Sequence, residues 1–215
     1  MIDAIIFDMD GVLVDTEPIH IKIEKRQFKM NGISLTDEEH RQFLGTTSEN
    51  MWREIGRMKQ LKVSVEALIN QNKTESILHF REQSEIPVMP GIFELLDELN
   101  SKKYPLAVAS SSDPEIIELI LEKTRLKTYF QVIVSSKEAG KSKPEPDVFL
   151  LAARKLKIPP ENCMVVEDSE NGIRAAHSAG MYCVAYQSPD TDPKTQIDAD
   201  LIVKSFDQLR MILLK

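Results

Sequence analysis

The run Ala4-Ile5-Ile6-Phe7-Asp8-Met9-Asp10-Gly11, residues 4–11, decides the fold. Four apolar residues rich in Ile and Phe suit a strand buried on both faces, as in a parallel sheet. The run then stops on two carboxylates. Burying a carboxylate without a partner is costly or forces it neutral, so Asp8 and Asp10 belong at the end of a strand. In open α/β sheets the carboxyl ends of the strands carry the ligand site. Gly11 lets the chain turn sharply away.

Working outward, similar apolar runs recur at 106–109, 132–134, 164–166 and 183–185, with a weaker one at 201–203. Helical patterns alternate with them. Ile92, Leu95, Leu96 and Leu99 mark a helix over 91–102 by their three-and-four spacing. Asp113 is an N-cap with Pro114 at the first helical position, which predicts a helix over 114–123. Further helices are expected over 148–156, 172–178 (closed by Gly180) and 206–214. Alternating strands and helices predict a doubly wound, Rossmann-like α/β parallel sheet.

Between Glu17 and Glu85 no strand pattern occurs. The spacing there predicts helices over 18–30, 37–43, 48–59 and 65–82. The chain returns through Ile86-Pro87-Val88-Met89-Pro90-Gly91, stiffened by two prolines. The expected organisation is an α/β core of residues 1–15 and 87–215, interrupted by a small helical cap of residues 16–86.

The chain has 215 residues and a formal charge of −7, with 42% hydrophobic residues. It can bury a core and is not a disordered chain. The acidic balance argues against a general binder of nucleic acid or of anionic membranes. Two cysteines, Cys163 and Cys183, support neither a disulfide framework nor a four-thiolate zinc site. No run approaches a membrane span, and the N-terminus lacks the basic region of a signal peptide. A monomer in the cytoplasm, free of nucleic-acid and membrane partners, is expected.

Three other strand or turn ends carry polar chemistry. The strand at 106–109 runs into Ser110-Ser111-Ser112, whose hydroxyl and N–H groups suit phosphate oxygens. Ser112 and Asp113 also read as plain helix-capping residues. Lys143, beside Pro144 in a rigid turn, is a fixed positive charge. The strand at 164–166 ends in Glu167-Asp168-Ser169. Acidic oxygens with a phosphate form the hard oxygen cage that Mg²⁺ prefers. Each feature alone has a bland alternative, a turn, a cap or a solvated lysine. Their joint occurrence in this order is improbable by chance.

The stretches FDMDGVLVDTEP (7–18), MPGIFELLDEL (89–99), LAVASSS (106–112), SKPEPDVF (142–149) and EDSENGIRAAHSAGM (167–181) resemble the haloacid dehalogenase-like hydrolase superfamily, across nearly the whole chain. Within it, the chain is similar to the β-phosphoglucomutase and sugar-phosphate phosphatase group. The resemblance implies that Asp8 is a nucleophile forming an aspartyl phosphate, and that Asp10 is the general acid and base. It implies Mg²⁺ held by Asp8, the backbone carbonyl of Asp10 and Asp168, with Glu167 nearby. Ser110, Lys143 and, through its N–H, Ser111 would hold phosphate oxygens.

In the cap, the resemblance points to Glu17 for a sugar hydroxyl, to His20 beside Asp10, and to a loop of Gly45, Thr46, Thr47 and Ser48 facing the core. Ser48 stands where mutases carry an arginine that clamps a second phosphate, which favours a phosphatase of sugar phosphates over a mutase. Trp52 and Lys73 are candidates to line the pocket, with the cap core the expectation for Trp52 and solvent that for Lys73. Asp10 speaks against a dehalogenase. No cap lysine stands out for a phosphonatase. The intact charged residues speak against a degenerate binding protein.

Overall fold

The computed structural model describes residues 2–43, 46–188 and 191–213. Six parallel strands form one sheet: β1 (Ala4–Phe7), β2 (Leu106–Ser110), β3 (Val132–Ser135), β4 (Cys163–Glu167), β5 (Tyr182–Tyr186) and β6 (Leu201–Val203). Their order is β3-β2-β1-β4-β5-β6, so the winding reverses between β1 and β4. That reversal opens a crevice at the strands' carboxyl ends. β2, β3 and β4 run one residue past the expected apolar stretches, taking in Ser110, Ser135 and Glu167. Backbone pairing continues there, because Glu167 aligns with Ala185 and Ser110 with Ser135.

Alternate residues of β1 serve opposite faces, as the pleat requires. Ile5 and Phe7 pack with Leu95, Leu99, Ile117 and Phe206 on one side. These come from α5 (Ile92–Ser101), α6 (Pro114–Lys123) and α10 (Phe206–Leu213). Ala4 and Ile6 pack on the other side with Val148, Phe149, Ile173 and Ala176, from α8 (Asp147–Leu156) and α9 (Glu170–Ser178).

The inserted segment is helical throughout its named elements, as expected: α1 (Glu17–Met30), α2 (Asp37–Arg41), α3 (Ser48–Met58) and α4 (Val65–Glu82). Phe28, Met51, Trp52, Ile55 and Leu68 form its own apolar cluster, which places Trp52 in the interior as read. Ile77 and Phe80 near the end of α4 instead join the core beneath the sheet. The two connections lie side by side. Val14 bridges Val88 in antiparallel fashion, and Asp15 N donates to the Pro87 carbonyl at 2.9 Å.

Three local expectations need correction. The helix expected over 37–43 stops at Arg41. The helix expected from Gly172 begins at Glu170, because Ser169 is its N-cap and accepts from Gly172 N at 3.1 Å. A one-turn helix, α7 (Ser136–Ala139), was not foreseen. It is too short to show periodicity and is capped by the Ser135 hydroxyl. Leu214, the expected end of the last helix, lies outside the described residues.

Candidate active site

β1, β4 and the turn after α7 bring Asp8, Lys143 and Glu167 together at the sheet reversal. Lys143 Nζ lies 2.5 Å from Asp8 Oδ1 and 2.6 Å from Glu167 Oε1, with its side chain 1% exposed. It also sits 4.9 Å from the centre of the Phe149 ring. The other Glu167 oxygen accepts from the N–H groups of Asp168 (2.7 Å) and Ser169 (2.8 Å) and from the Ser169 hydroxyl (3.0 Å). Glu167 is therefore used up inside the protein. It fixes Lys143 and the Asp168 turn together.

Ligand atoms of Asp8, Glu167 and Asp168 all lie within 4.8 Å of one another. Burial, opposed by Lys143 and reinforced by Glu167 and Asp10, pushes the Asp8 carboxyl up to about 7. Burial and the charges of Glu167 and Asp8 likewise push Asp168 well above the usual carboxylate range. Burial works against the Lys143 charge, but Asp8 and Glu167 outweigh it and hold the ammonium protonated. Three carboxylates thus share one ammonium. With all three ionised the deficit is two negative charges, which suits a divalent cation bound by oxygen.

Gly11 and Gly172 make room for this cluster. A Cβ on Gly11, whose φ is +81°, would overlap the Asp168 carboxylate. A Cβ on Gly172, in the first turn of α9, would overlap that of Glu167. Gln196 Nε2 donates to the carbonyls of Asp168 (2.6 Å) and Tyr186 (2.9 Å), tying the Asp168 turn to the end of β5.

The Asp10 side chain turns away from this cluster. Its Oδ1 accepts from the Thr16 hydroxyl and lies 3.2 Å from His20 Nε2. Its Oδ2 accepts from Ser112 Oγ at 2.8 Å, with Ser110 Oγ at 3.4 Å. Burial acts to raise its pKa, but the contacts with His20, Thr16 and Ser112 prevail and bring it down to about 2. For His20, burial acts to lower the pKa, but the bond to Asp10 and the nearby acids raise it.

These groups floor a cleft of about 1590 Å³ roofed by the inserted helices. Ser111, Glu17, His20, Thr46, Thr47 and Ser48 all line it. Ser110 is buried behind it, and Gly45 lies outside the described residues. Thr47 spends its hydroxyl on capping α3, accepting from Asn50 N at 3.1 Å. Ser48 opens α3. Lys73 is not simply solvated: it lines the cleft and its Nζ lies 3.1 Å from Asp113 Oδ1, joining roof to floor. Asp113 caps α6 as read, whereas Ser112 does more than cap, since it holds Asp10.

Sequence reasoning missed Thr16, Gly172 and Gln196. Thr16 and His20 lie four residues apart at a helix start, and that spacing puts both on one face. Gly172 and Gln196 carry no local signal.

A doubly wound α/β protein with a carboxylate-rich site at the sheet reversal is what this geometry defines. Residues 5–186 match the haloacid dehalogenase-like hydrolase family, and the chain belongs to it. A curated relative, the phosphorylated carbohydrates phosphatase of Thermotoga maritima, is 31% identical over 213 residues, 98% of each chain. Among solved structures, a mutant CbbY from Rhodobacter sphaeroides in complex with xylulose-(1,5)bisphosphate superposes with a TM-score of 0.86 at 28% identity, covering 97% of this chain and 96% of that one. β-Phosphoglucomutase from Clostridium difficile gives 0.87 at 25% identity, covering 100% and 96%.

Proposed function

We propose that this protein is a Mg²⁺-dependent phosphatase of small phosphate monoesters, sugar phosphates foremost, acting through an aspartyl phosphate. One observation carries the reading. Asp8 and the Asp168 turn face each other across the sheet reversal, with Lys143 fixed between Asp8 and Glu167.

Mg²⁺ would be held by Asp8, the Asp10 carbonyl and Asp168, with Glu167 behind them, and when bound it supplies charge neutralisation between a carboxylate and a phosphate. Asp8 attacks phosphorus in line, forming its O–P bond as the bond to the leaving oxygen breaks. Lys143, Ser110 and the Ser111 N–H bind the oxygens that do not react. Asp10, ionised as it stands, relays a proton from His20 to the departing alkoxide across their 3.2 Å contact. Water then attacks the phosphorus, Asp10 takes its proton, inorganic phosphate leaves and Asp8 is regenerated. The helices of residues 16–86 act as a cap that excludes bulk water.

The test is release of inorganic phosphate from a panel of phosphorylated metabolites. Activity is expected with Mg²⁺ and not in excess chelator. Asp8→Asn should lower it by about 1000-fold or more. Full activity in Asp8→Asn would end the reading.

Likeness to β-phosphoglucomutase favours a phosphosugar mutase as the second reading. Conversion of β-glucose 1-phosphate to glucose 6-phosphate would establish it, and glucose with free phosphate would reject it.

A further inference from the structure

The roof of the cleft carries a second ionisable pair, outside the hydrolytic step. His40 Nε2, on α2, lies 2.6 Å from Glu24 Oε2, on α1. Their side chains are 6% and 14% exposed. The Phe28 ring meets His40 edge-on, with centroids 5.0 Å apart. Seating two ionisable groups this deeply carries a desolvation penalty, and apolar replacements of similar volume are often as stable or more so. The apolar cluster of Phe28, Met51 and Trp52 lies alongside, so an apolar solution was open to the fold. Polar groups held on the wall of a cleft are what orient a bound ligand.

Position along α1 sets what part of a ligand it meets. His20 touches Asp10, and Glu24 follows four residues later on the same face. Glu24 therefore sits about one 5.4 Å turn farther from the reacting carboxylates. Both Glu24 and His40 line the cleft that Asp8 and Asp10 floor. His40 holds one Glu24 oxygen, and the other bonds no group among the described residues. A carboxylate oxygen accepts and does not donate. It takes the proton of a hydroxyl and repels a second anion. The lysines of the cleft are engaged elsewhere, Lys73 lying 3.1 Å from Asp113 and 3.7 Å from Glu115 and Lys137 3.5 Å from Asp113, while His20 and Arg41 line the same cleft as Glu24.

We infer that Glu24, oriented by His40, is a specificity-determining residue that accepts a hydroxyl from the uncharged part of the substrate and so selects monophosphates of polyhydroxy compounds against their bisphosphates. The inference rests on the phosphatase reading and names the substrate feature that the roof distinguishes.

The test compares three substrates with Mg²⁺: fructose 1-phosphate, fructose 1,6-bisphosphate and p-nitrophenyl phosphate, which has no alcohol hydroxyl. In Glu24→Leu, kcat/KM for the monophosphate relative to p-nitrophenyl phosphate is expected to fall about 10- to 100-fold, mostly through KM. Glu24→Gln keeps an acceptor and removes the charge. It should retain part of the monophosphate preference and raise the bisphosphate-to-monophosphate ratio about 5-fold or more. His40→Gln should weaken the preference in the same direction. Thermal unfolding of each variant separates loss of folded protein from loss of selectivity. Unchanged ratios in all three variants, or an equal loss on every substrate, would overturn the inference. Turnover of p-nitrophenyl phosphate by the wild type that vanishes in Asp8→Asn keeps the phosphatase reading standing in that event. No turnover of any of the three by the wild type would instead bring down the phosphatase reading.

Discussion

At the floor of the cleft Lys143 is 1% exposed and bonds two carboxylates, while at the roof Lys73 is 38% exposed and reaches over to Asp113 at 3.1 Å. The floor is built on strand ends, where the ladder fixes the backbone and Glu167 and Asp10 each have several partners. The roof is built on helices, and it meets the floor through exposed polar links such as Asn50 to Ser142 and Lys73 to Asp113, through Thr16 and His20 at Asp10, and through the apolar footing of Ile77 and Phe80. Rigid strand ends suit chemistry that tolerates little displacement. Away from Thr16, His20 and the footing of Ile77 and Phe80, a roof of helices can vary with little effect on the reacting groups.

The contrast is broken most directly at Lys143. Lys143→Met leaves Glu167 buried without its ammonium, and losing one partner of a buried pair costs about 3–5 kcal/mol. Urea unfolding should show that loss, and phosphate release should fall by about 1000-fold or more. A stable, active Lys143→Met protein would mean that the floor is not built on this contact.

Gly172→Ala tests whether the floor's geometry matters as much as its charges. The added methyl would displace the Glu167 carboxylate and with it Lys143. Activity is expected to drop about 100-fold, with all the charged groups still present. Lys73→Ala samples the roof. The lost pair is exposed, so stability should change by only about 0.2–1 kcal/mol, with a few-fold change in KM. A loss as large as that of Gly172→Ala would erase the distinction between roof and floor.

The smallest effect concerns the thiols of the sheet. Burial pushes Cys163 up to about 11, and Cys183 higher still. An unfolded thiol ionises near about 8.5. The native state therefore holds these protons after an unfolded chain has released them, and stability should decline as pH rises from about 8.5 toward 11. Below that window alkylation should be slow in the native protein and fast in urea, with catalytic activity unaffected by a brief exposure.

The same division explains what could be read from the chain. Asp8, Asp10, Glu167 and Asp168 each end an apolar run, and Lys143 stands in a proline turn, so their joint order along the chain, together with the family resemblance, marks them. The central strands, buried on both faces, announce themselves by their apolar runs, and the edge strand β6, partly exposed, gives a weaker run. The contacts that complete the site are not local. Gln196 serves the Asp168 carbonyl from 28 residues away, and Asn50 meets Ser142 across 92. Neither leaves a period or spacing in the sequence. His40 and Glu24, 16 residues apart on different helices, look like ordinary surface residues until the helices pack.

The pairing of Val14 with Val88 carries a consequence for the history and engineering of such chains. Because both connections of the helical segment leave from neighbouring positions, splicing in a segment of any length asks little of the sheet beyond closing one loop. The helices can thus be exchanged as a cassette, provided a replacement reproduces the apolar footing of Ile77 and Phe80 and the Thr16 and His20 contacts with Asp10, so new substrate preferences can be grafted onto one reaction centre.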